Sequence, residues 1–499
     1  MLKIVPFNET HVKFVCHDYG IEQELSEYFS FMVPGAKYAP KFKAGIWDGY
    51  VRLANLRNKT IYKGLIDEIF KFAKNRHHEI EIDPSLRNSN DFTYEQITEF
   101  VDLLKLQGKG RPIVVRKYQY EAVHKALSAN RSLLISPTSS GKSMIIYSII
   151  RWHIKMGRKI MIVVPSTMLV NQLFDDFEDY STANGFIVDE NISVLYSGKE
   201  RIFDKPVVIT TWQSVAAMLK NDTKKFQELV GRTEVGVWDE AHTQKSTVVL
   251  SVMEKFINTK YRVGTTGTID DKKINTLTLV GLLGPVYKVI STKELMDAGQ
   301  VVNLKINCIV LKYPEHICKA YKGMDYTEEI KFLVGYENRN RFIARLVSTI
   351  KGNTLVLQNF VEKHGAILVR YIEEITDRKV YFIHGGVDTD DREAIRKVLD
   401  TEKDVIIVAT SSLMSTGVNI PSIENIVFAI PTKSSIRVRQ SIGRGLRLKD
   451  GKTHCTLWDI ADDLSYKKYT NTTMHHLEDR IGIYAKEQFS YDIKKLLIK

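Results

Sequence analysis

Between residues 131 and 150 the chain leaves an apolar run, Ser132-Leu-Leu-Ile135, and crosses Ser136-Pro-Thr-Ser-Ser-Gly-Lys-Ser143. It then enters a second apolar run, Met144-Ile-Ile-Tyr-Ser-Ile-Ile150. The first run has strand length and the second has helical spacing. A strand that feeds a helix through a short glycine-containing loop is the opening of a parallel sheet covered by helices. The pattern continues through Ile160-Met-Ile-Val-Val164, Val207-Val-Ile209, Val235-Gly-Val237 and Tyr261-Arg-Val263, each separated from the next by a helical segment. After a polar linker through Asp297-Ala-Gly-Gln300 it begins again, with Thr354-Leu-Val-Leu357, Val380-Tyr-Phe-Ile383, Val405-Ile-Ile-Val408, Ile426-Val-Phe428 and Thr456-Leu-Trp458. The reading is an α/β chain with two consecutive parallel-sheet lobes, of which only the first carries the glycine loop.

Residues 1–95 do not share this pattern. Alternation in Val12-Lys-Phe-Val-Cys16 and Tyr50-Val-Arg-Leu53 predicts strands, and residues 22–31 and 65–74 have helical spacing, so a small α+β domain is expected. The polar stretch 83–91 marks its boundary. The expected division is 1–95 for the small domain, 96–295 for the first lobe and 296–499 for the second with a helical tail. The small domain is basic and aromatic together. Between Lys37 and Arg76 the basic residues Lys37, Lys41, Lys43, Arg52, Arg57, Lys59, Lys63, Lys71, Lys74 and Arg76 are opposed only by Asp48, Asp67 and Glu68, with Tyr38, Phe42, Trp47, Tyr50 and Tyr62 between them. A surface that neutralises phosphates and stacks bases needs this mixture, and the net charge of +12 agrees with it. Trp47 itself is expected in the core. No apolar run approaches the roughly 20 residues that span a bilayer. Four scattered cysteines without a Cys-x-x-Cys pair argue against a zinc site or disulfide framework and fit a reducing cytoplasm.

The chemistry is written at the strand ends. In Pro137, Thr138, Ser139, Ser140 and Gly141 backbone N–H groups can point at phosphate, while Lys142 reaches the β- and γ-phosphates and Ser143 ligates Mg²⁺. Ser136 stands where the full consensus has its first glycine. Val235-Gly-Val-Trp238 ends in Asp239-Glu-Ala-His242. Asp239 would hold Mg²⁺, Glu240 would polarise the attacking water, and His242 would couple this strand to its neighbours. Gln119, in Arg116-Lys-Tyr-Gln119, can read an adenine edge, with Arg116 or Tyr118 stacked on the ring. In Gln440-Ser-Ile-Gly-Arg-Gly-Leu-Arg447 the two arginines are spaced i, i+3, which puts Arg444 and Arg447 on one helical face as charge stabilisers.

Together these segments resemble the motifs of superfamily 2 helicases, in family order between residues 112 and 460. Arg116–Gln119 looks like the adenine-reading motif, and residues 137–143 look like motif I, with Ser139 in place of the usual glycine. Val164-Pro-Ser-Thr-Met-Leu169 is similar to motif Ia, Thr210-Thr-Trp-Gln-Ser214 to Ib, Asp239–His242 to the DEAH box of motif II, and Thr266-Gly-Thr268 to motif III. Residues 409–421 resemble motif V and residues 440–447 motif VI. The flanks, Pro40-Lys-Phe-Lys-Ala-Gly-Ile-Trp-Asp-Gly49, residues 291–306 and Asp479-Arg-Ile-Gly-Ile-Tyr-Ala485, look like the UvsW family of helicases of T-even-type bacteriophages.

The resemblance implies two tandem RecA-like lobes behind the small α+β domain, ATP and Mg²⁺ as cofactors, and DNA as the partner: branched duplex, single strand and RNA–DNA hybrid. It implies an ATP-dependent helicase that unwinds and branch-migrates Holliday junctions, forks, D-loops and R-loops in the host cytoplasm, alongside phage recombination or single-strand-binding proteins. Ser166, Thr167, Thr210 and Thr211 in the first lobe would grip phosphates. Ser415 and Thr416 would do so in the second, with Gly417 at the nucleotide, and Lys41, Lys43 and Arg52 would touch DNA from the small domain. Residue chemistry alone leaves two alternatives open, a strand-annealing protein with a regulatory ATPase and a duplex translocase that separates no strands.

Overall fold

Alternating apolar and polar residues at the start of the chain build a mostly antiparallel sheet, with one parallel pairing at its edge. In the computed structural model, strand β1 (Leu2–Pro6) pairs with β2 (His11–Cys16). A separate hairpin joins β3 (Ser30–Met32) to β4 (Tyr50–Arg52). With β5 (Ala54–Asn55), β6 (Thr60–Tyr62) and β7 (Ile80–Ile82) the main sheet runs β5-β6-β2-β1-β7. The helices Tyr19–Tyr28 and Ile66–Asn75 cover it, so the first helix begins and ends earlier than its spacing suggests. The structure describes residues 1–499 except 34, 87–89, 91, 197–202, 244–246, 270–272, 385–401, 412–421, 432–434, 450 and 499.

Contacts divide the chain into two units, Met1–Ser136 with Gly141–Val289, and Pro137–Ser140 with Ile290–Lys499. The first holds the small sheet and a seven-stranded sheet as one continuous core. After a two-residue ladder, β8 (Gln107–Gly108) and β9 (Arg111–Pro112), come β10 (Arg131–Ile135), β11 (Ile160–Val164), β12 (Ile192–Leu195), β13 (Val207–Thr211), β14 (Val235–Trp238), β15 (Tyr261–Thr266) and β16 (Val286–Lys288). Their order is β12-β13-β11-β14-β15-β10-β16, and every pairing is parallel.

Two glycines let the turn Lys63–Leu65 after β6 press closely on helix Lys273–Leu283, which packs on the large sheet. A Cβ at Gly64 would lie 2.1 Å from the Val280 carbonyl oxygen, and one at Gly281 would lie 2.7 Å from Tyr62 Cβ. Beside them Arg262, fully buried, donates to the carbonyls of Thr259, Leu282 and Phe256 and to Thr10 Oγ1. Glu9 bridges Lys63 at 2.8 Å and Arg131 at 3.1 Å. No helix among the described residues is long and apolar enough to cross a membrane.

The second unit repeats the parallel architecture with β17 (Asn303–Lys312), β18 (Thr354–Gln358), β19 (Val380–Ile383), β20 (Ile406–Thr410), β21 (Asn425–Phe428), β22 (His454–Asp463) and β23 (Tyr491–Leu497), in the order β19-β20-β18-β21-β22-β17-β23. The buried pairs Arg339–Asp462 and Arg480–Asp459 tie flanking helices to β22. The tail is a helix, Thr472–Lys486, followed by a strand: β23 adds to the sheet edge beside β17, where a wholly helical tail was expected.

Candidate active site

In a parallel sheet the loops that can meet a ligand leave the carboxyl ends of the strands. Three neighbours in the first large sheet, β14, β15 and β10, end in Asp239-Glu240, Thr265-Thr266 and the loop 136–143. The Ser136 N–H donates to the Thr266 carbonyl at 2.8 Å, which carries the strand pairing into the loop. Ser139 has φ +69° and Gly141 φ +84°. The second is a natural glycine position, and the first stores a modest strain in a β-carbon residue. Ser139 Oγ is buried without a hydrogen-bond partner among the described residues, a donor left over for an anion. Helix Lys142–Lys155 follows at once and directs its amino terminus at the same place.

Lys142 Nζ lies 2.7 Å from Glu240 Oε1 and 4.0 Å from Asp239 Oδ1. Asp239 Oδ1 accepts from Thr265 Oγ1 at 2.5 Å and from the Glu240 N–H at 2.8 Å. Burial drives the Asp239 carboxyl above its ordinary range, Lys142 pulls it down and Glu240 pushes it up again, with a net rise. Two carboxylates facing one ammonium make a site short of positive charge. Glu240 is held at φ +47°, a second strained residue at the same edge. His242, buried, places Nδ1 2.7 Å from Thr266 Oγ1 and 3.3 Å from Glu240 Oε2. The Thr266 hydroxyl spends its proton on the Thr268 carbonyl at 2.6 Å, so Nδ1 is the donor to Thr266 Oγ1. His242 thereby links motif II to motif III, the coupling place its sequence position implies.

The adenine-reading candidate is also at this loop. Gln119 is buried in the first turn of helix Lys117–Ser128, accepts from the Arg116 N–H at 2.9 Å, and sets Nε2 where a Cβ on Gly141 would be 2.4 Å away. Arg116 Nη1 reaches Tyr118 OH at 3.0 Å. Ser143 Oγ meets Tyr180 OH at 2.7 Å. Neither Thr265 nor Tyr180 carries a sequence signal, since each is an ordinary residue within an apolar strand or an amphipathic helix.

Comparison with known proteins fits this geometry. Family models match at residues 112–271 (type III restriction enzyme, res subunit), 338–449 (helicase conserved C-terminal domain) and 3–83 (DNA helicase UvsW, N-terminal). The ATP-dependent DNA helicase uvsW of Enterobacteria phage T4 is 33% identical over 97% of both chains. The chain belongs to the UvsW family of DNA helicases. The crystal structure of T4 UvsW superposes with a TM-score of 0.53 at 30% identity, covering 100% of both chains. A DNA-bound type ISP restriction–modification enzyme, LlaBIII, shares the fold at 14% identity and TM-score 0.57, covering 85% of this chain and 34% of its own. The expected family, the two-lobed α/β class and ATP-dependent DNA helicase activity therefore all stand.

Beside the nucleotide edge, this UvsW-family chain sets two helix amino termini on adjacent strands. Ser166 caps helix Thr167–Ser181 after β11, its Oγ accepting from Leu169 N–H, and Thr167 is exposed. Thr211 caps helix Trp212–Asn221 after β13, and Gln213 Nε2 donates to the Pro165 carbonyl, fastening one loop to the other. Thr210 and Thr211 are buried, and the Thr211 hydroxyl is spent on Ser214 N–H. Each position also has the backbone N–H groups of a helix start, which can hold a phosphate beside the hydroxyls.

In the amino-terminal domain Lys41 and Lys43 lie exposed on the short helix Pro40–Lys43, and Arg52 stands on β4 paired with Asp48. Trp47 is half-buried and donates Nε1–H to the Tyr50 carbonyl, so it belongs to the hairpin and not to the core as expected. In the second unit helix Ser435–Gly445 carries Gln440 and Arg444 but stops before Arg447. The Arg447 N–H still donates to the Arg444 carbonyl at 3.5 Å, so the two arginines remain one turn apart across the helix end. Gly445 packs where a Cβ would be 2.6 Å from Cys455 Sγ, and Lys452 Nζ donates to the Gly445 and Arg447 carbonyls, drawing off the helix end. Ser415, Thr416 and Gly417 lie outside the described residues.

Proposed function

We propose that the chain spends ATP to unwind and branch-migrate branched DNA, such as Holliday junctions, forks, D-loops and R-loops, in recombination, repair and replication. The observation that carries the reading is the Lys142–Glu240–Asp239–Thr265 constellation on three adjacent strand ends, with two helix amino termini on the neighbouring strands. The kinship with UvsW, together with the basic hairpin, favours branched duplex over a plain one.

In this reading the loop 137–141 cradles the phosphates, Lys142 leaves Glu240 for the β- and γ-phosphates, and Gln119 offers its amide to adenine. Glu240, released, orients the attacking water, and His242 relays its position to Thr266. Among the described residues no cluster of three or more His, Cys, Asp or Glu could cage a metal. That suits Mg²⁺, which keeps waters and phosphate oxygens as ligands and takes only one or two from protein. Ser143 and Asp239 would hold it, and its charge would offset that of the phosphates. Arg444 and Arg447 would supply positive charge to the transition state, with an expected worth of about 10³–10⁵ in rate, and Gln440 a neutral hydrogen bond beside them. Ser166, Thr167 and the N–H groups after Thr211 would grip one strand, and Lys41, Lys43 and Arg52 the junction arms. The site of action is the cytoplasm, and recombination or single-strand-binding proteins are the expected company.

Comparing ATPase rates and strand displacement on Holliday junction, fork, plain duplex, single strand and RNA tests the reading. Stimulation is expected to be strongest on junction and fork, and to vanish in Lys142→Ala and Arg444→Ala. Full turnover in either variant, or equal stimulation by unbranched duplex without displacement, would overturn it.

A further inference from the structure

Helices Lys142–Lys155 and Thr167–Ser181 are joined by two hydroxyl pairs one turn apart, Ser143 with Tyr180 at 2.7 Å and Tyr147 with Ser181 at 2.8 Å. The two pairs are not alike. Tyr147 OH also receives Arg151 Nη1, and Ser181 Oγ donates to the Phe177 carbonyl, so that pair is saturated and structural. Ser143 Oγ and Tyr180 OH have no other hydrogen bond among the described residues. A serine hydroxyl that ligates a cation does so through a lone pair, and the cation makes its proton a stronger donor, which then needs an acceptor. Tyr180 OH stands where that acceptor must be. The ring behind it is fixed against Tyr147 with centroids 5.5 Å apart, so the oxygen is presented by a packed side chain and not by a mobile one.

We propose that Tyr180 is a positioning residue for the metal-binding serine, holding Ser143 Oγ with its proton turned toward the phenol and its lone pairs toward the metal. The inference rests on Ser143 being a metal ligand. It places a determinant of cation affinity outside every motif, at the carboxyl end of the helix whose amino end is capped by Ser166.

Tyr180→Phe keeps the ring and removes the acceptor. The test is binding of a fluorescent ADP analogue to the full-length chain, titrated with Mg²⁺, and again in EDTA. Tyr180→Phe is expected to raise the half-saturating Mg²⁺ concentration about three- to tenfold, the worth of one hydrogen bond, and to leave binding in EDTA and the unfolding temperature unchanged. Ser143→Ala must raise the Mg²⁺ requirement further, and Ser143→Ala/Tyr180→Phe no further than Ser143→Ala alone. An unchanged Mg²⁺ requirement in Tyr180→Phe beside a raised one in Ser143→Ala overturns the role of Tyr180. An unchanged requirement in Ser143→Ala overturns the metal-ligand reading beneath it. Equal weakening with and without Mg²⁺ would make Tyr180 a packing residue only.

Discussion

Glu240→Gln should separate binding from chemistry. In the nucleotide-free arrangement Glu240 occupies Lys142, with Nζ 2.7 Å from Oε1 and the two side chains only 16% and 22% exposed. A triphosphate must displace that carboxylate before it can use the lysine. A charge-assisted hydrogen bond is worth about 1.5–3 kcal/mol, and partial exposure brings this pair to about 1–2 kcal/mol. Removing the charge while keeping the shape should therefore tighten ATP binding by about 5- to 30-fold. Hydrolysis moves the other way, because the amide cannot take a proton from water, and general-base losses run to about 10²–10⁴ in rate. Equilibrium binding of a fluorescent ATP analogue gives the first number and single-turnover hydrolysis the second. Turnover at the unsubstituted rate, or a weaker complex, would refute the reasoning, the first by removing Glu240 from the chemistry and the second by showing that the ion pair does not compete with nucleotide.

Glu9 is drawn down from its ordinary value of 4.5: burial opposes its charge, but Lys63 and Arg131 outweigh that. A carboxylate lowered by folding lends stability that is complete above pH 4.5 and fades as pH falls through its folded value. The urea midpoint of the first unit should thus fall below pH 4.5, and Glu9→Gln should blunt that acid dependence; an identical acid limb in both proteins would count against it. Arg262→Met strips the donors from several buried carbonyls and from Thr10, and should cost about 3 kcal/mol or more in urea unfolding; a loss under 1 kcal/mol, within the spread of ordinary surface changes, would show that water replaces the guanidinium. Lys41→Ala and Lys43→Ala should each flatten the salt dependence of junction binding by about one ion, whereas Arg52→Ala, its charge already met by Asp48, should change it less. Equal effects at all three would mean that the Asp48 pair opens on DNA.

The strands that sequence announces are those buried on both faces. Ile160–Val164 is apolar throughout, and Val207–Thr211 apolar up to its two closing threonines, because both are buried along their whole length. The strands it conceals, β16, β17 and β23, mix Lys, Asn or Asp into the run, since two of them are sheet edges where charge keeps foreign strands off. At the site, Lys142, Asp239 and Glu240 are legible because their chemistry demands fixed spacing from a strand end. Tyr180 and Thr265 act through distances set by tertiary packing, and no spacing along the chain marks them. Arg444 and Arg447 keep their spacing of three as one turn, with the Arg447 N–H on the Arg444 carbonyl, although the helix itself ends at Gly445 between them.

Gly64 and Gly281, with Arg262 and Glu9 beside them, weld the amino-terminal domain to the lobe that holds the phosphate loop. A module hung on a flexible tether would let its cargo lag behind the motor. Sharing one continuous core, the domain and the lobe have no joint at which one could swing against the other.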